Sequence, residues 1–325
     1  MRRLGQIMLA LILVALLGCT AMASTKAVVL KAAYDFPTTS PVHAGMVAAA
    51  DYLSKATGGQ VTLQLFPNTW GTQQDSTMAL LQGTLDIYHA GATWMAEYYP
   101  PIGAIEAPFL YRDIDHVNKF RESDIAKELM DGFASKTNLR ILSIWYLGLR
   151  QTLLANKPAR TPEDFKGIKL RVPQAAMYLE TANVLGTTGT PIPINDVYMA
   201  LKTGIVDGTE NPLVQIDNMK FYEVAKYLVL TGHMVSYTMP IINAASLNKV
   251  PKEFQPALFE AFAQGMKVND TINLEGEASI LKQFQDRGIV VIQPDQAAFR
   301  ERAKYLSTKY AKQWGDIYDR ISAIK

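Results

Sequence analysis

Cysteine is almost absent from this chain of 325 residues, in which Cys19 is the only one. A single cysteine excludes an intramolecular disulfide framework, so the hydrophobic core has to hold the fold together. Beyond the start of the chain it also leaves no residue that could act as a thiol nucleophile.

Histidine is scarce as well, since the chain has only His43, His89, His116 and His233. They show no H-x-x-x-H spacing and no nearby carboxylate in a ligand pattern, so we predict no metal site. The sequence also lacks a G-x-S-x-G elbow, a P-loop and a dinucleotide-binding glycine fingerprint after a strand. We therefore predict no cofactor and no enzymatic activity.

An excess of charge of one sign is missing too. The formal net charge is +2, and charged residues make up 19% of the chain. Arg2 and Arg3 contribute two of the positive charges, so the chain without its first residues is close to neutral. Nucleic-acid binding needs a strongly basic surface, and we predict none.

Only one long apolar run is present, at residues 7–17. Its eleven residues are too few to span a bilayer, but behind Arg2 and Arg3 they fit the core of a secretory signal peptide. No later run reaches the length of about 18 apolar residues that a membrane helix needs. We predict that residues 1–23 are a signal peptide and that the mature protein is soluble and periplasmic.

Two processing sites compete within this segment. The stretch AMA at residues 21–23 has small residues at positions −3 and −1 of a cleavage site, which would make Ser24 the first mature residue. The stretch LLGC at residues 16–19 resembles a bacterial lipobox, which would leave Cys19 as a lipidated N-terminus. We favour cleavage after residue 23, with a lipid anchor at Cys19 as the alternative.

Strand and helix signals alternate along the rest of the chain, which predicts an α/β fold with a sheet covered by helices. The predicted strands are 28–36, 61–66, 84–90, 141–150, 168–173, 237–247 and 288–293, and the segment 190–194 is extended. The predicted helices are 41–57, 75–82, 162–166, 175–185, 196–204 and 255–286, and a helical tail begins at 296. No linker separates two independent halves, so two domains would interleave.

Two arginines and an asparagine stand near the ends of predicted strands: Arg150, Arg171 just before Pro173, and Asn211 beside a turn. Because ligands bind at strand ends in open α/β sheets, these side chains could converge on one site. Two guanidiniums and an amide suit a carboxylate, whose two oxygens match the arginine fork. The alternative for each is an ordinary solvated side chain, such as Arg171 on a half-exposed strand.

At these residues the sequence resembles the substrate-binding subunit of tripartite ATP-independent periplasmic (TRAP) transporters, the DctP family. The similar segments are LGLRQTLLANKPARTPEDFKGIKLRVP, VYMALKTGIVDGTENP and KFYEVAKYL, joined in the N-terminal half by SPVHAG, LLQGTLDI and APFLYRD. The resemblance extends over most of the chain, from about residue 28 to about residue 310.

This resemblance implies a two-lobed periplasmic-binding-protein fold, in which each lobe is a mixed sheet flanked by helices and a long helix lies behind the cleft. The first lobe would hold residues 24–148 with 237–276, and the second would hold residues 149–236 with 277–325. The resemblance further implies a monomer.

The resemblance also implies a function, in which the protein closes around one small organic acid and delivers it to the membrane permease subunits of the transporter. In the family, the arginine of the LRVP strand pairs with the ligand carboxylate, and this arginine corresponds to Arg171. Two further residues of the family assist it, and they correspond to Arg150 and Asn211.

Within the family, the second lobe resembles the sialic-acid-binding members most, but the chain departs from them in the pocket. Where those proteins carry a Glu and an Arg for the polyol part of the sugar acid, this chain has Gly91 and Trp94. Ile194 replaces a pocket phenylalanine, and Gln73 replaces an acid. We therefore expect a less hydroxylated acid, such as an aromatic or keto acid, and not sialic acid.

Three aromatic residues, Trp94, Trp70 and Tyr88, favour a more apolar pocket around the retained carboxylate site. The alternative for Trp94 is an ordinary place in the core. The complete set of predicted ligand-binding residues is Arg171, Arg150, Asn211, Trp94, Tyr88, Gln73, Asp35 and Gln174.

Two other functions stay open from the sequence alone. Acidic pairs such as Glu97 and Glu106 could form the dyad of an exported hydrolase acting on an acidic substrate, although pairs of this kind arise by chance. A structural lipoprotein of the cell envelope, which binds no small molecule, is the other alternative.

Overall fold

A computed structural model describes residues 27–325 of the chain. The predicted signal peptide 1–23, both processing sites and Cys19 therefore lie outside the described residues. The strands of the described part are β1 (Val28–Tyr34), β2 (Val61–Pro67), β3 (Ile87–Ala90), β4 (Leu139–Ile141), β5 (Trp145–Leu154), β6 (Lys169–Val172), β7 (Thr188–Pro191), β8 (Gly208–Pro212), β9 (Tyr227–Asn243) and β10 (Val290–Ile292).

Helices alternate with these strands, and most of the longer ones begin at a side-chain cap such as Ser40 or Thr72. None of those in residues 27–325 has both the length and the apolar character needed to cross a membrane. The α-helices are α1 (Pro41–Ala56), α2 (Gln73–Gln82), α3 (Ala92–Met95), α4 (Ile114–Arg121), α5 (Asp124–Thr137), α6 (Ala176–Leu185), α7 (Val197–Lys202), α8 (Leu213–Asn218), α9 (Ala244–Leu247), α10 (Gln255–Asp286), α11 (Gln296–Ala303), α12 (Tyr305–Lys309), α13 (Ala311–Trp314) and α14 (Ile317–Ser322).

The strands form a mixed sheet structure in the order β2-β1-β3-β9-β5-β8-β6-β7, with β4 and β10 also paired to β9. β1 lies parallel to β2 and β3, and β6 lies parallel to β7 and β8. β9 runs antiparallel to β3, β4 and β5. The mixed α/β class predicted from the sequence is therefore confirmed.

The long strand β9 divides the pairing into two groups. Its residues 239–243 pair with β3 and β4, and its residues 227–238 pair with β5 and β10. We call β1–β4 the first strand group, and β5–β8 with β10 the second strand group. The pairing of β5 with β9 is irregular at two places, between Tyr146 and Gly148 and between Arg150 and Thr152.

The predicted long helix is confirmed as α10, and it packs against both strand groups. Near its start, Leu258 and Phe262 belong to a buried cluster with residues of β1 and α1. Near its end, Ile280 and Phe284 belong to another cluster, built with residues of α7 and α8. One continuous helix therefore supports both halves of the protein from one side.

The middle of α10 is polar and buried, and it holds β5 at the irregular pairing. Asn269 and Asn273 donate from their Nδ2 atoms to the Tyr146 carbonyl, at 2.7 and 3.0 Å. Asp270 accepts from the Tyr146 backbone amide at 2.9 Å. The sequence showed these residues as a weak point of the helix, but they supply hydrogen bonds that the irregular strand lacks.

The two longest helices cross at a pair of glycines, Gly45 in α1 and Gly265 in α10. A Cβ atom on either glycine would lie 2.6 Å from the carbonyl oxygen of the other. It would also lie within 3.0 Å of the ring of Trp145, whose Nε1 donates to the Phe262 carbonyl at 3.1 Å. The crossing therefore needs residues without a side chain at both positions.

The C-terminal helices contact elements of both predicted lobes. Lys309 of α12 pairs with Glu180 of α6 at 2.5 Å, next to the second strand group. Arg320 of α14 pairs with Glu128 of α5 at 2.7 Å, on the side of the first strand group. The segment after α10 thus crosses from one half of the protein to the other.

Several predicted elements differ from the structure, each for a local reason. The predicted strand 141–150 is two strands, because β4 ends at Ile141 and β5 begins at Trp145. The apolar run did not show this break, since most of its residues are buried in both strands and between them. The predicted helix 162–166 is only a set of hydrogen-bonded turns that end at Gly167, where φ is +83°.

The predicted strand 237–247 is also placed incorrectly at both ends. β9 begins ten residues earlier, at Tyr227, and ends at Asn243, whose side chain caps α9 through the Ala245 amide. The predicted helical tail is four short helices, with a break at Gly315, where φ is +59°.

The glycine crossing leads to a test with a control in the same helix. Gly265→Ala should lower the unfolding free energy by about 1–3 kcal/mol, because the added methyl group overlaps backbone and ring atoms. Gly276→Ala should be neutral or stabilising by up to about 1 kcal/mol, since a Cβ there meets only ordinary contacts, from 3.4 Å outwards. Urea unfolding measures both values, and equal effects would contradict this account of the crossing.

Candidate functional site

A cavity with an empty volume of about 570 Å³ is walled by residues from both strand groups. The first group and its helices contribute Asp35, Gln73 and Trp94, and the second contributes Arg171 and Asn211. The complete lining is Asp35, Phe36, Gln73, His89, Gly91, Trp94, Leu147, Arg150, Arg171, Pro173, Tyr178, Ile194, Asn211, Gln215, Ser236, Tyr237 and Thr238.

Arg171 lies on the wall of this cavity and is only 2% exposed. Its neighbours Leu170 and Val172 are fully buried on β6, so both faces of this strand are inside the protein. The Nε atom donates to the Ile192 carbonyl at 2.8 Å, whereas the Nη1 atom is buried and has no hydrogen-bond partner among residues 27–325. Arg171 is therefore not the solvated side chain of a half-exposed strand.

Burial also lowers the pKa of Arg171. Removal from water lowers the pKa of Arg171 to about 9, Glu210 opposes this change, and the neighbouring Arg150 adds to it. The side chain is still a cation at neutral pH. A buried cation with an unused donor is costly unless an anion pairs with it, so this position favours a bound anion.

Arg150 differs from Arg171 because its donors are already in use. Its Nε and Nη2 atoms both bind the carboxylate of Glu210, the second at 2.9 Å, and Nη2 also donates to the Glu210 carbonyl at 2.7 Å. Its Nη1 donates to the Ser236 hydroxyl at 3.2 Å. Burial disfavours the charge of Arg150, but the Glu210 carboxylate raises its pKa above the usual value.

Glu210 is held in turn by a buried polar chain. His233 contacts Glu210 through Nε2 at 3.1 Å and the hydroxyl of Thr231 through Nδ1 at 2.8 Å. The Thr231 hydroxyl is 3.2 Å from that of Thr152. Burial lowers the pKa of His233, so this histidine is neutral at physiological pH. This series of hydrogen-bonded side chains fixes the Glu210 carboxylate, which in turn orients Arg150.

Asn211 lies next to Glu210 on β8 and completes the predicted trio. Its Oδ1 accepts from Arg150 at 3.3 Å, and its Nδ2 donates to the Thr209 hydroxyl at 3.1 Å. The structure thus brings Arg150, Arg171 and Asn211 to the wall of one cavity, although they come from three strands.

Asp35 follows β1 directly, lines the cavity and accepts a hydrogen bond from a buried tyrosine. The Tyr88 hydroxyl donates to Asp35 Oδ2 at 2.5 Å. Burial raises the pKa of Asp35 to about 6, and the bond from Tyr88 reduces this increase. Tyr88 itself is 1% exposed and does not line the cavity, so it could affect a ligand only through Asp35.

The remaining predicted residues have different positions. Trp94 is half-buried and lines the cavity, so it is not an ordinary core residue. Gln73 lines both this cavity and a wider adjoining pocket of about 980 Å³, whereas Gln174 lines only the adjoining one. Trp70 packs edge-on against Phe66 with ring centroids 4.9 Å apart, and it is on neither wall.

Several wall residues were not predicted from the sequence. They come from helices and strands whose apolar pattern gave no sign of a cavity, and the most prominent are aromatic or hydroxylic. Tyr178 lies in α6 with the Arg150 guanidinium 5.0 Å from its ring centre. The other missed residues are Phe36, His89, Leu147, Pro173, Gln215, Ser236, Tyr237 and Thr238.

A cleft-like cavity between two strand groups, with a long helix behind both, defines the class of two-lobed solute-binding proteins. The chain belongs to the DctP family, described as bacterial extracellular solute-binding protein, family 7, whose model matches residues 32–313. The resemblance to TRAP solute-binding proteins stated above is therefore confirmed.

Individual proteins are similar along nearly the whole length. The sialic acid-binding periplasmic protein SiaP of Vibrio cholerae is 35% identical over 278 residues, which cover 85% of this chain and 86% of that protein. The 2,3-diketo-L-gulonate-binding periplasmic protein YiaO of Escherichia coli is 29% identical over 302 residues, which cover 91% and 92%. A crystal structure of a TRAP periplasmic solute binding protein from Actinobacillus succinogenes, with bound L-galactonate, is 27% identical, with a TM-score of 0.85 and coverage of 90% and 98%.

The buried ion pair leads to a test of stability. Glu210→Gln keeps the shape but removes the carboxylate that Arg150 and His233 contact, so we expect a loss of about 3–5 kcal/mol in the unfolding free energy. Asp217→Asn is the control, because it breaks a pair with Arg287 in which the side chains are 29% and 41% exposed. Asp217→Asn should lower the unfolding free energy by less than about 1 kcal/mol. Similar losses in both variants would contradict the role given to Glu210.

A second test uses the raised pKa of Asp35. Between about pH 4 and pH 6, the folded state binds more protons at this carboxyl group than the unfolded state does, so its contribution to stability falls as the pH rises. Asp35→Asn removes this penalty and should stabilise the protein at pH 8, by up to about 3 kcal/mol, and have little effect at pH 4.

Thermal melts at both pH values measure this difference. Asp51→Asn, at an exposed position of α1, is the control and should show no such change between pH 4 and pH 8. A stabilisation by Asp35→Asn that is the same at the two pH values would show that the charge of Asp35 is not its cause.

Proposed function

We propose that this protein is the extracytoplasmic solute-binding subunit of a TRAP transporter, and that it captures a small organic acid by pairing the acid's carboxylate with Arg171. The observation that carries the proposal is the buried Nη1 atom of Arg171, a cavity-lining residue, which finds no hydrogen-bond partner in the part of the chain that the structure describes. A carboxylate would supply two acceptor oxygens and the missing negative charge at once.

The relatives support an acid as ligand. The names of two of them state sialic acid and 2,3-diketo-L-gulonate, and the third binds L-galactonate. All three molecules are monocarboxylic acids, although their other functional groups differ. We propose the same anchoring group for this chain, with Arg150 and Asn211 orienting the carboxylate from the side.

Capture would proceed by closure of the two lobes, for which we keep the proposed boundaries 24–148 with 237–276 and 149–236 with 277–325. Residues on both strand groups line the cavity, so only a closed state lets a small ligand contact both. A ligand that binds the closed state better shifts the population toward it. The closed, monomeric complex would then be recognised by the membrane permease subunits in the periplasm.

The hydrolase alternative receives no support from the position of its carboxylates. Glu106 is fully buried and accepts from the Thr93 amide, the Thr93 hydroxyl and the Tyr237 amide, at 2.8, 2.6 and 3.1 Å. Glu97 is exposed, and neither residue lines the cavity. Glu106 therefore has a structural role in linking Thr93 to β9, and the homologues are solute-binding proteins.

The central test removes the arginine. A saturating carboxylate, at a hundred times its dissociation constant, should stabilise the wild type by about 2.7 kcal/mol. Arg171→Ala should weaken binding of the same carboxylate by about 2–5 kcal/mol, because its charged partner is lost from a buried site. Arg171→Lys should recover only part of this loss, since an ammonium group lacks the planar fork.

Lys169→Ala is the matched control, because Lys169 is the exposed basic residue of the same strand. It should bind as the wild type does. A panel of organic acids, screened by thermal shift and confirmed by calorimetry, supplies the ligand. Unchanged affinity in Arg171→Ala would refute the proposed anchor, and recovery of a chemically altered ligand would favour an enzyme.

A further inference from the structure

The cavity wall carries a carboxylate as well as the two arginines, and this further point rests on the proposed function above. Asp35 lies on the wall at the end of β1, in the first strand group, whereas Arg171 lies on β6, in the second. A ligand held by Arg171 at one end would therefore meet an acidic group from the other half of the protein.

Only one oxygen of Asp35 is used by the protein. β1 and β3 are paired so that Ala33 is opposite Tyr88, which brings the Tyr88 hydroxyl to Asp35 Oδ2 at 2.5 Å. Among residues 27–325, the other oxygen, Oδ1, has no hydrogen-bond partner. Tyr88 thus fixes the carboxylate in place and leaves one acceptor for a ligand.

The rest of the wall offers Asp35 no counter-charge. The cationic side chains that line the cavity are Arg150 and Arg171, and Glu210 already binds Arg150. His89 is also on the wall, but it is 2% exposed, and burial lowers its pKa to about 3, so it is neutral. Among the described wall residues, an ionised Asp35 therefore has no cation bonded to it, and Arg171 has no anion bonded to it.

We propose that the acid bound by this site also carries a hydrogen-bond donor, a hydroxyl or an ammonium group, which binds Asp35 Oδ1, and that Asp35 excludes dicarboxylates. A carboxylate accepts hydrogen bonds and does not donate them, so only a donor can satisfy it. A ligand without a donor would leave Asp35 desolvated and unpaired, and a second carboxylate would add repulsion between like charges. The selection therefore works mainly by rejection of the wrong ligand.

A matched series of acids tests the proposal directly. At chain lengths from three to six carbons, each set contains the unsubstituted monocarboxylate, the ω-hydroxy acid, the ω-amino acid and the dicarboxylate. Calorimetry at pH 8 measures the dissociation constants with Asp35 ionised. At the length that fits best, we expect the hydroxy or the amino acid to bind at least about tenfold more tightly than the other two. The better of the two identifies the donor.

Asp35→Asn and Asp51→Asn complete the experiment, with thermal melts to show that both variants fold. An amide can donate as well as accept, so Asp35→Asn should reduce the preference over the dicarboxylate by about tenfold or more, while binding still depends on Arg171. Asp51→Asn, on the exposed face of α1, should leave the preference unchanged.

The outcomes separate the two proposals. Dicarboxylates that bind as tightly as the substituted acids, or a preference that Asp35→Asn leaves intact, would overturn the role of Asp35 and leave the arginine anchor standing. Binding that does not depend on Arg171, or a panel in which no carboxylate binds, would overturn the proposed function and this inference with it.

Discussion

Two buried guanidiniums, those of Arg150 and Arg171, lie near the carboxylate of Glu210, which forms hydrogen bonds with Arg150 but not with Arg171. This imbalance of charge is the constraint on which the site depends. Arg150 donates two hydrogen bonds to the Glu210 carboxylate. Arg171 is influenced by the charge of Glu210 but forms no hydrogen bond with it. Burial of an incompletely paired cation costs free energy in the unliganded protein. The fold tolerates this cost because the adjoining strands and helices are well packed, and a bound anion would relieve it.

The strand that carries Arg150 has polar residues at the places where its pairing with β9 is irregular. β5 supplies Arg150 at a break in its register with β9, and the Tyr146 end of the same strand is anchored to α10 by Asn269 and Asp270. Because α10 packs against both strand groups, the anchor fixes β5 relative to both. The position of Arg150 thus depends on hydrogen bonds from Asn269 and Asp270, which are more than a hundred residues away in sequence.

The sequence predicted the main helices and several residues of the site, but not the exact strand boundaries or the partner of Arg150. Helical spacing and a start at Pro41 located α1. The extent of α10 was predicted because the sequence from 255 to 286 is permissive for a helix and has no clear breaker. The break between β4 and β5 was missed, since an apolar run looks the same whether it forms one strand or two. Arg171 was placed correctly near the end of its strand, but Arg150 lies in the middle of β5, and Asn211 lies within β8, a strand that was not predicted. The ion pair between Arg150 and Glu210 depends on the pairing of β5 with β8, which no local pattern records.

The C-terminal segment gives the molecule a third connection between its halves, in addition to the strands and α10. Lys309 contacts Glu180 on one side, while on the other the Nε2 atom of His116 is 2.8 Å from the Ile321 carbonyl. The break at Gly315 lies between the two contacts, so the proposed rotation of one half against the other would bend the segment there. With the proposed closure, the environment of a label on this segment would change, so such a label would report on closure of the cavity from a distance.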